Sequence, residues 1–233
     1  MTTTQHPLAP TTSLAGPTRI GAGFGLASVV LLMAGFALVA PAGAVHTNPA
    51  EEIVGFYTDG GQVAKYAGGL IASAALLLLL PFVAMLAARL QGTGVAGDVL
   101  GPTARMAATG YVVLSLAPGQ AAGAAALWLG AHGGDASAIV ALNALRAFSY
   151  FLALLALAGF LLAIGIGALQ TGRLTGWMSW SAVAVGSVLA VGVAVAQTGL
   201  ADIASLLALA WIVAVSIGLL RRPERVNGPV GTS

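Results

Sequence analysis

Apolar residues dominate this 233-residue chain in six long stretches, at residues 20–41, 64–90, 104–130, 137–169, 177–197 and 202–220. Polar breaks rich in glycine, proline and charge separate them. A helix needs about 20 mainly apolar residues to cross the hydrocarbon layer, and each stretch is long enough. None shows the alternation of a barrel strand, and each is far longer than such a strand. Helices also satisfy every backbone hydrogen bond internally, as lipid requires. The pattern predicts an all-α, polytopic transmembrane bundle of six spans occupying residues 19–222. A disordered cytoplasmic tail at 1–18 precedes it, and a cytoplasmic tail at 223–233 follows.

Charge gives the expected orientation. Arg19, Arg89, Arg105, Arg173, Arg221, Arg222 and Arg225 fall on one side of a six-span chain, and Lys65 alone falls on the other. The positive-inside rule then puts both termini in the cytoplasm. Glu51, Glu52, Asp59, Asp135 and Asp202 lie outside, in agreement. The rival reading is a cleaved signal ending at Ala42-Gly43-Ala44. Against it, the apolar run that follows Arg19 exceeds the usual 7–15-residue signal core.

Composition narrows the class. Hydrophobic residues make up 58% of the chain and charged residues only 7%, against roughly 25% charged in a soluble domain. A water-soluble fold and a disordered chain are both excluded. Cysteine is absent, which removes disulfides, thiol redox chemistry, iron–sulfur clusters and thiolate zinc sites. The nine basic residues form no stripe, so nucleic acid is not an expected partner. No histidine lies in any span, which excludes a transmembrane bis-histidine haem. His46 and His132 sit in loops without nearby ligands and make a poor metal pair. No nucleophile elbow, zinc-protease or P-loop motif occurs. No carboxylate lies within a span, which weakens proton-coupled transport. The sequence therefore points away from an enzyme and implies no cofactor.

Several local signals remain. Asn48-Pro49-Ala50-Glu51-Glu52 reads as a helix start, with Asn48 the N-cap, Pro49 the first helical residue and acids in the first turn. Gly60-Gly61 ends the segment. The prediction is a short external helix between spans one and two, anchored at the interface by Phe56 and Tyr57 or packed over the bundle mouth as a lid. Residues 91–103 carry four glycines and read as a flexible cytoplasmic loop. The turn at 197–199 is short enough to make spans five and six antiparallel neighbours. Pro81 and Pro118 sit inside spans, where kinks are expected. Gly21-x-x-x-Gly25 and Gly119-x-x-x-Gly123 present small faces for close packing within the chain, or between copies in a homo-oligomer. Trp128, Trp177 and Trp180 fit interfacial belts, and Trp211 a packing or lipid-facing position. Lys65 and Tyr66 read as a snorkelling cation and a belt aromatic.

Arg146 is the most informative side chain. It lies about eight residues into the fourth stretch, and an arginine at membrane depth costs at least about 2.5–3.5 kcal/mol. Asn143 and Tyr150 share its helical face, and depth counting brings Gln120 of span three beside it. One reading makes Arg146, Asn143, Gln120 and Tyr150 the lining of a small outward-open polar cavity, with the arginine holding a carboxylate, a phosphate or a lipid headgroup. The other makes Arg146 an interfacial residue, ion-paired with Glu51, Glu52 or Asp202.

The chain also resembles a group of uncharacterised six-span bacterial integral membrane proteins gathered under a domain of unknown function. The resemblance rests on Arg19 before the first span, on Glu52-Ile53-Val54-Gly55-Phe56-Tyr57, and on Leu86-Ala87-Ala88-Arg89-Leu90. It covers Arg19 to about Arg222. It implies a plasma-membrane location, no established activity and no catalytic residues to carry over. The leading expectation is a non-enzymatic multi-pass protein of the bacterial cytoplasmic membrane. It would be an accessory subunit, or a binder of a lipid or small anionic amphiphile, with the bilayer, another membrane protein or a second copy as partner. The alternative is a small-molecule or lipid transporter or exporter. In that case Ser115, Tyr111 and Thr109 would extend a polar track inward.

Overall fold

Near-continuous runs of alanine, leucine and valine give helices that are apolar on almost every face, as burial in lipid demands. In a computed structural model they form α1 (Ala15–Val39), α2 (Ala50–Thr58), α3 (Gln62–Leu90), α4 (Val95–Leu114), α5 (Ala121–Ala131), α6 (Ala136–Thr171), α7 (Gly176–Ala194) and α8 (Leu200–Arg221). A π-helical turn, Ser115–Gln120, joins α4 to α5 in one rod. The structure describes residues 15–39, 47–195 and 200–221. Most of the N-terminal tail, the small-residue site at 42–44, His46, the turn at 197–199, Arg222, Arg225 and the C-terminal tail lie outside the described residues.

Six of these rods are long and apolar enough to span a membrane, and α2 is a short helix between the first two. Every long apolar stretch became one rod. The spans form a closed ring, in which α1 packs on α3, α3 on α4, α4 on α6, α6 on α7, α7 on α8, and α8 back on α1. Phe82, Leu86, Leu90, Phe160, Leu161 and Ile164 fill the centre. The outside of the ring carries exposed Val30, Leu77, Met106, Leu155, Val191 and Leu206. A surface so apolar needs lipid around it, and the chain is a multi-pass membrane protein.

The small-residue faces pack within the chain. A Cβ on Gly21 would stand 2.7 Å from the Met85 Cβ, and one on Gly25 would meet Phe82 and Ser216. Gly35 and Gly68 face each other across the same crossing, and a Cβ on Gly35 would lie 2.7 Å from the Gly68 carbonyl. In lipid, where no hydrophobic force joins helices, such close backbone approach supplies the dispersion contact. Trp211 is a core residue: it is buried, edge-on to Phe160, with its indole N–H on Ser181 Oγ at 3.1 Å.

The glycine-rich segment at 91–103 departs from expectation. Only residues 91–94 form the turn, and helix α4 begins at Val95. Gly92 and Gly94 take positive φ, 70° and 100°, a region open to glycine at little cost. Gly97 and Gly101 serve a different end. A Cβ on Gly97 would overlap the Leu90 carbonyl, and one on Gly101 would stand 3.1 Å from the Ala87 carbonyl. These glycines seat α4 tightly against the end of α3, so they rigidify the hairpin. Asp98 adds a hydrogen bond, accepting the Gly92 N–H at 2.8 Å.

Candidate functional site

The site lies at the end of the bundle away from Arg89, Arg105, Arg173 and Arg221. It is built first by α2. The helix starts one residue later than its sequence signal suggests, with Pro49 as N-cap, Ala50 the first helical residue and no side-chain cap from Asn48. Ile53 and Tyr57, one turn apart, bury one face against Ala126 of α5 and Ile139 of α6. Gly130 permits this: a Cβ there would overlap the Tyr57 carbonyl. The short helix is thus packed over the bundle mouth, and its aromatics point into protein.

Its C-terminal carbonyls need donors from outside the helix, and α3 supplies them. The Lys65 ammonium donates to the carbonyls of Phe56 and of Asp59, the latter at 2.9 Å, and lies 4.6 Å from the Phe56 ring centre. Gln62 Nε2 donates to the Tyr57 carbonyl at 2.7 Å. A cation at a helix C-terminus also complements its dipole. Lys65 is therefore a clamp on α2.

Beneath α2, Tyr57 and Asn143 are each 1% exposed. The Tyr57 hydroxyl donates to Asn143 Oδ1 at 3.0 Å, and Arg146 Nη2 approaches the same oxygen at 3.4 Å. Burial holds the Tyr57 hydroxyl protonated above its ordinary range, against the opposing pull of the Arg146 guanidinium. At the head of α6, the Asp135 carboxylate accepts the Ser137 backbone N–H at 2.9 Å and its hydroxyl at 2.8 Å, which lowers the acid's pKa. This is the N-cap of the longest α-helix.

The other wall comes from the π-turn. Proline cannot donate at 118, and its ring would crowd the carbonyl of residue 114 in a regular helix. The chain widens instead, and the Ala121 N–H reaches back to the Leu116 carbonyl. The turn aims Gln120 toward α3, where a Cβ on Gly69 would sit 3.5 Å from Gln120 Oε1. The Gly119-x-x-x-Gly123 face then lies against α6. Gly123 leaves room for the Arg146 stem, with Cδ only 3.2 Å from where a Cβ would be.

Between α1, α3 and α5, under α2, a cleft of about 330 Å³ remains. Its walls are mostly apolar, among them Phe36, Val39, Leu70, Leu116 and Leu127, and Arg146 and Gln120 project into it. Of the four residues expected to line one polar cavity, these two line the cleft. Asn143 stands behind Arg146, bound to Tyr57. Tyr150 turns away to α8, donating to Asp202 Oδ1 at 3.1 Å and approaching Ser205 Oγ at 3.3 Å. Asp202 is thereby tied to Tyr150, while Glu51 and Glu52 stand exposed in the first turn of α2.

That contact also fixes depth. Tyr150 is level with the start of α8, so Arg146, one turn earlier on α6, lies about 6 Å nearer the helix start. With α6 beginning at Ala136, some 14 residues, about 21 Å, extend beyond Tyr150. Arg146 therefore lies in the first third of α6, on the side of Tyr150 away from the arginine-rich end. Toward the arginine-rich end, Thr109 is exposed and Tyr111 lines a separate void of about 10 Å³.

Sequence reasoning missed Tyr57, Lys65, Tyr66 and Phe36 as parts of the site. The signal for Tyr57 was present in its spacing from Ile53. The convergence of α1, α3 and α5 has no local signature. Comparison with known proteins adds no relative: no family model matches the chain, and neither does any curated protein or solved structure.

Proposed function

We propose that this protein is a non-enzymatic binding protein of the bacterial plasma membrane, with both termini cytoplasmic, that holds a small anionic amphiphile in the external-side cleft. The observation that carries this reading is the Arg146 guanidinium, with the Gln120 carboxamide, in a mostly apolar cleft of about 330 Å³ whose other polar groups are Lys65, Ser73, Tyr57 and Tyr66. Pockets of this size with few convergent polar groups are the usual form of ligand sites. The guanidinium is a planar fork, suited to a carboxylate or phosphate. The apolar walls suit a hydrocarbon portion. The seven-to-one bias of basic residues supports the orientation.

Native mass spectrometry of the gently extracted protein, wild type beside Arg146→Gln, tests the proposal. The expected result is a bound anion in the wild type that is lost in the variant. Identical bound species in both, with the variant only less stable, would make Arg146 structural and end the reading.

A further inference from the structure

We infer that the occupant of the cleft is an anionic phospholipid of the outer leaflet, with one acyl chain entering sideways over α3, between α1 and α5, and its phosphate held at Arg146. This rests on the reading of the cleft as an anion site and goes further by naming the ligand class and its route. The route follows from what closes the cleft and what leaves it open. On the water side, Phe56 and Tyr57 of α2 stand over it, and α2 is fastened by Lys65, Gln62 and the Gly130 contact. On the lateral side nothing comparable is present among the described residues. The rim there is Phe36, Tyr66 and Leu70, which are 48%, 53% and 56% exposed, together with exposed Ala121. Leu70 lies eight residues into α3, about 12 Å from its start, on a bundle surface that faces lipid.

The gap has an identifiable cause. Gly97 and Gly101 hold α4 close to α3 at one end. Beyond Ser115, α5 packs on α6 and α2, with Gly123 against the Arg146 stem and Gly130 against Tyr57. Among the described residues α1 and α5 do not pack on each other, and the cleft runs between them over α3.

The shape of the cleft suits a hydrocarbon chain. The lining runs from Lys65 to Ser73 on α3 and from Leu116 to Leu127 on the facing rod, about 12–16 Å along the helices. An acyl chain lying along that length meets the apolar walls at ordinary contact distance, about 3.5–4.0 Å. The polar end matches as well, because Arg146 lies toward the start of α6, the side on which the phosphate of an outer-leaflet lipid resides.

The test uses full-length protein in nanodiscs of phosphatidylglycerol and phosphatidylcholine at a 1:9 ratio. Retained lipid is counted by native mass spectrometry after detergent release. Wild type, Arg146→Gln, and the rim-filling variants Ala121→Trp and Leu70→Trp are compared. Both rim positions are exposed, so the large side chains do not disturb the core. In parallel, the thermal shift given by water-soluble butyl phosphate is measured on each protein. The expected result is one phosphatidylglycerol retained by the wild type, enriched tenfold or more over its bulk ratio. Arg146→Gln loses that preference, and both rim variants lose the lipid. Unchanged retention in both rim variants overturns lateral entry. An Arg146-dependent butyl phosphate shift without lipid enrichment overturns the lipid inference and leaves the anion site standing. If neither probe depends on Arg146, both readings fall.

Discussion

The Tyr57→Phe variant probes the seam that holds α2 over the cleft. The ring stays and only the hydroxyl goes. That hydroxyl lies 3.0 Å from Asn143 Oδ1, and both residues are buried. A typical hydrogen bond contributes about 0.5–1.5 kcal/mol net, whereas stranding a buried acceptor costs about 1–3 kcal/mol. Here the acceptor keeps one longer contact, from Arg146 Nη2 at 3.4 Å, so the loss falls at about 1–2 kcal/mol. Equilibrium unfolding in mixed micelles reads it. Asn143→Leu strands the hydroxyl instead, and the double variant replaces both partners by apolar groups at little further cost. The cycle therefore gives a coupling of about 1 kcal/mol or more. Alkali supplies a second reading. Because the folded Tyr57 hydroxyl ionises later than the unfolded one, the unfolded chain releases its proton first above pH ~10. Wild-type stability then falls relative to Tyr57→Phe, and the gap between them narrows. A coupling below about 0.3 kcal/mol would refute the argument.

Three further outcomes are expected. Gly130→Val puts side-chain atoms where the Tyr57 carbonyl now lies. It should cost about 1–3 kcal/mol and raise hydrogen exchange across residues 50–58. Gly97→Val should loosen the α3–α4 hairpin, because its Cβ would overlap the Leu90 carbonyl. The readout is a melting temperature lowered more than by Gly92→Ala, where no neighbour lies within reach. Lys65→Met keeps the stem and removes the ammonium from the carbonyls of Phe56 and Asp59. Hydrogen exchange should rise in α2 while the melting temperature of the bundle moves little, and equal protection of α2 in the variant would rule out the clamp.

What was legible in the sequence was whatever one helix decides for itself. Each span declares its length in uninterrupted apolar residues, and α2 declares itself in Pro49 followed by two acids. Arg146 drew notice because a cation there is anomalous in any arrangement. Two readings failed where a local signal had two physical meanings. Glycines at 97 and 101 lower helix propensity in isolation, yet between packed membrane helices the same absence of a side chain allows contact. Tyr150 shares a helical face with Arg146 by count, but a π-turn on one neighbour and the start of α8 on another divide that face between two environments. Arg146 and Gln120 pointed to the polar part of the cleft, but its apolar walls were invisible, because they come from α1, α3 and α5, which are distant in sequence.

The π-turn between Leu114 and Ala121 also has a meaning in phase. A turn of this kind holds one residue more than the α-helix it interrupts, and one residue is about 100° of rotation. Everything on α5 is set by that surplus. Removing a single residue, such as exposed Ala117, would take out that surplus, leave Pro118 as an ordinary proline kink, and swing Gln120, Gly123 and Leu127 about 100° around the axis. The Gly123 notch would leave the Arg146 stem, and bulkier neighbours would face it. The spans would still be six and the hydropathy unchanged. A one-residue length polymorphism here would thus create or erase the cleft without altering the topology, so residue count through this turn, more than residue identity, marks which related chains keep the site.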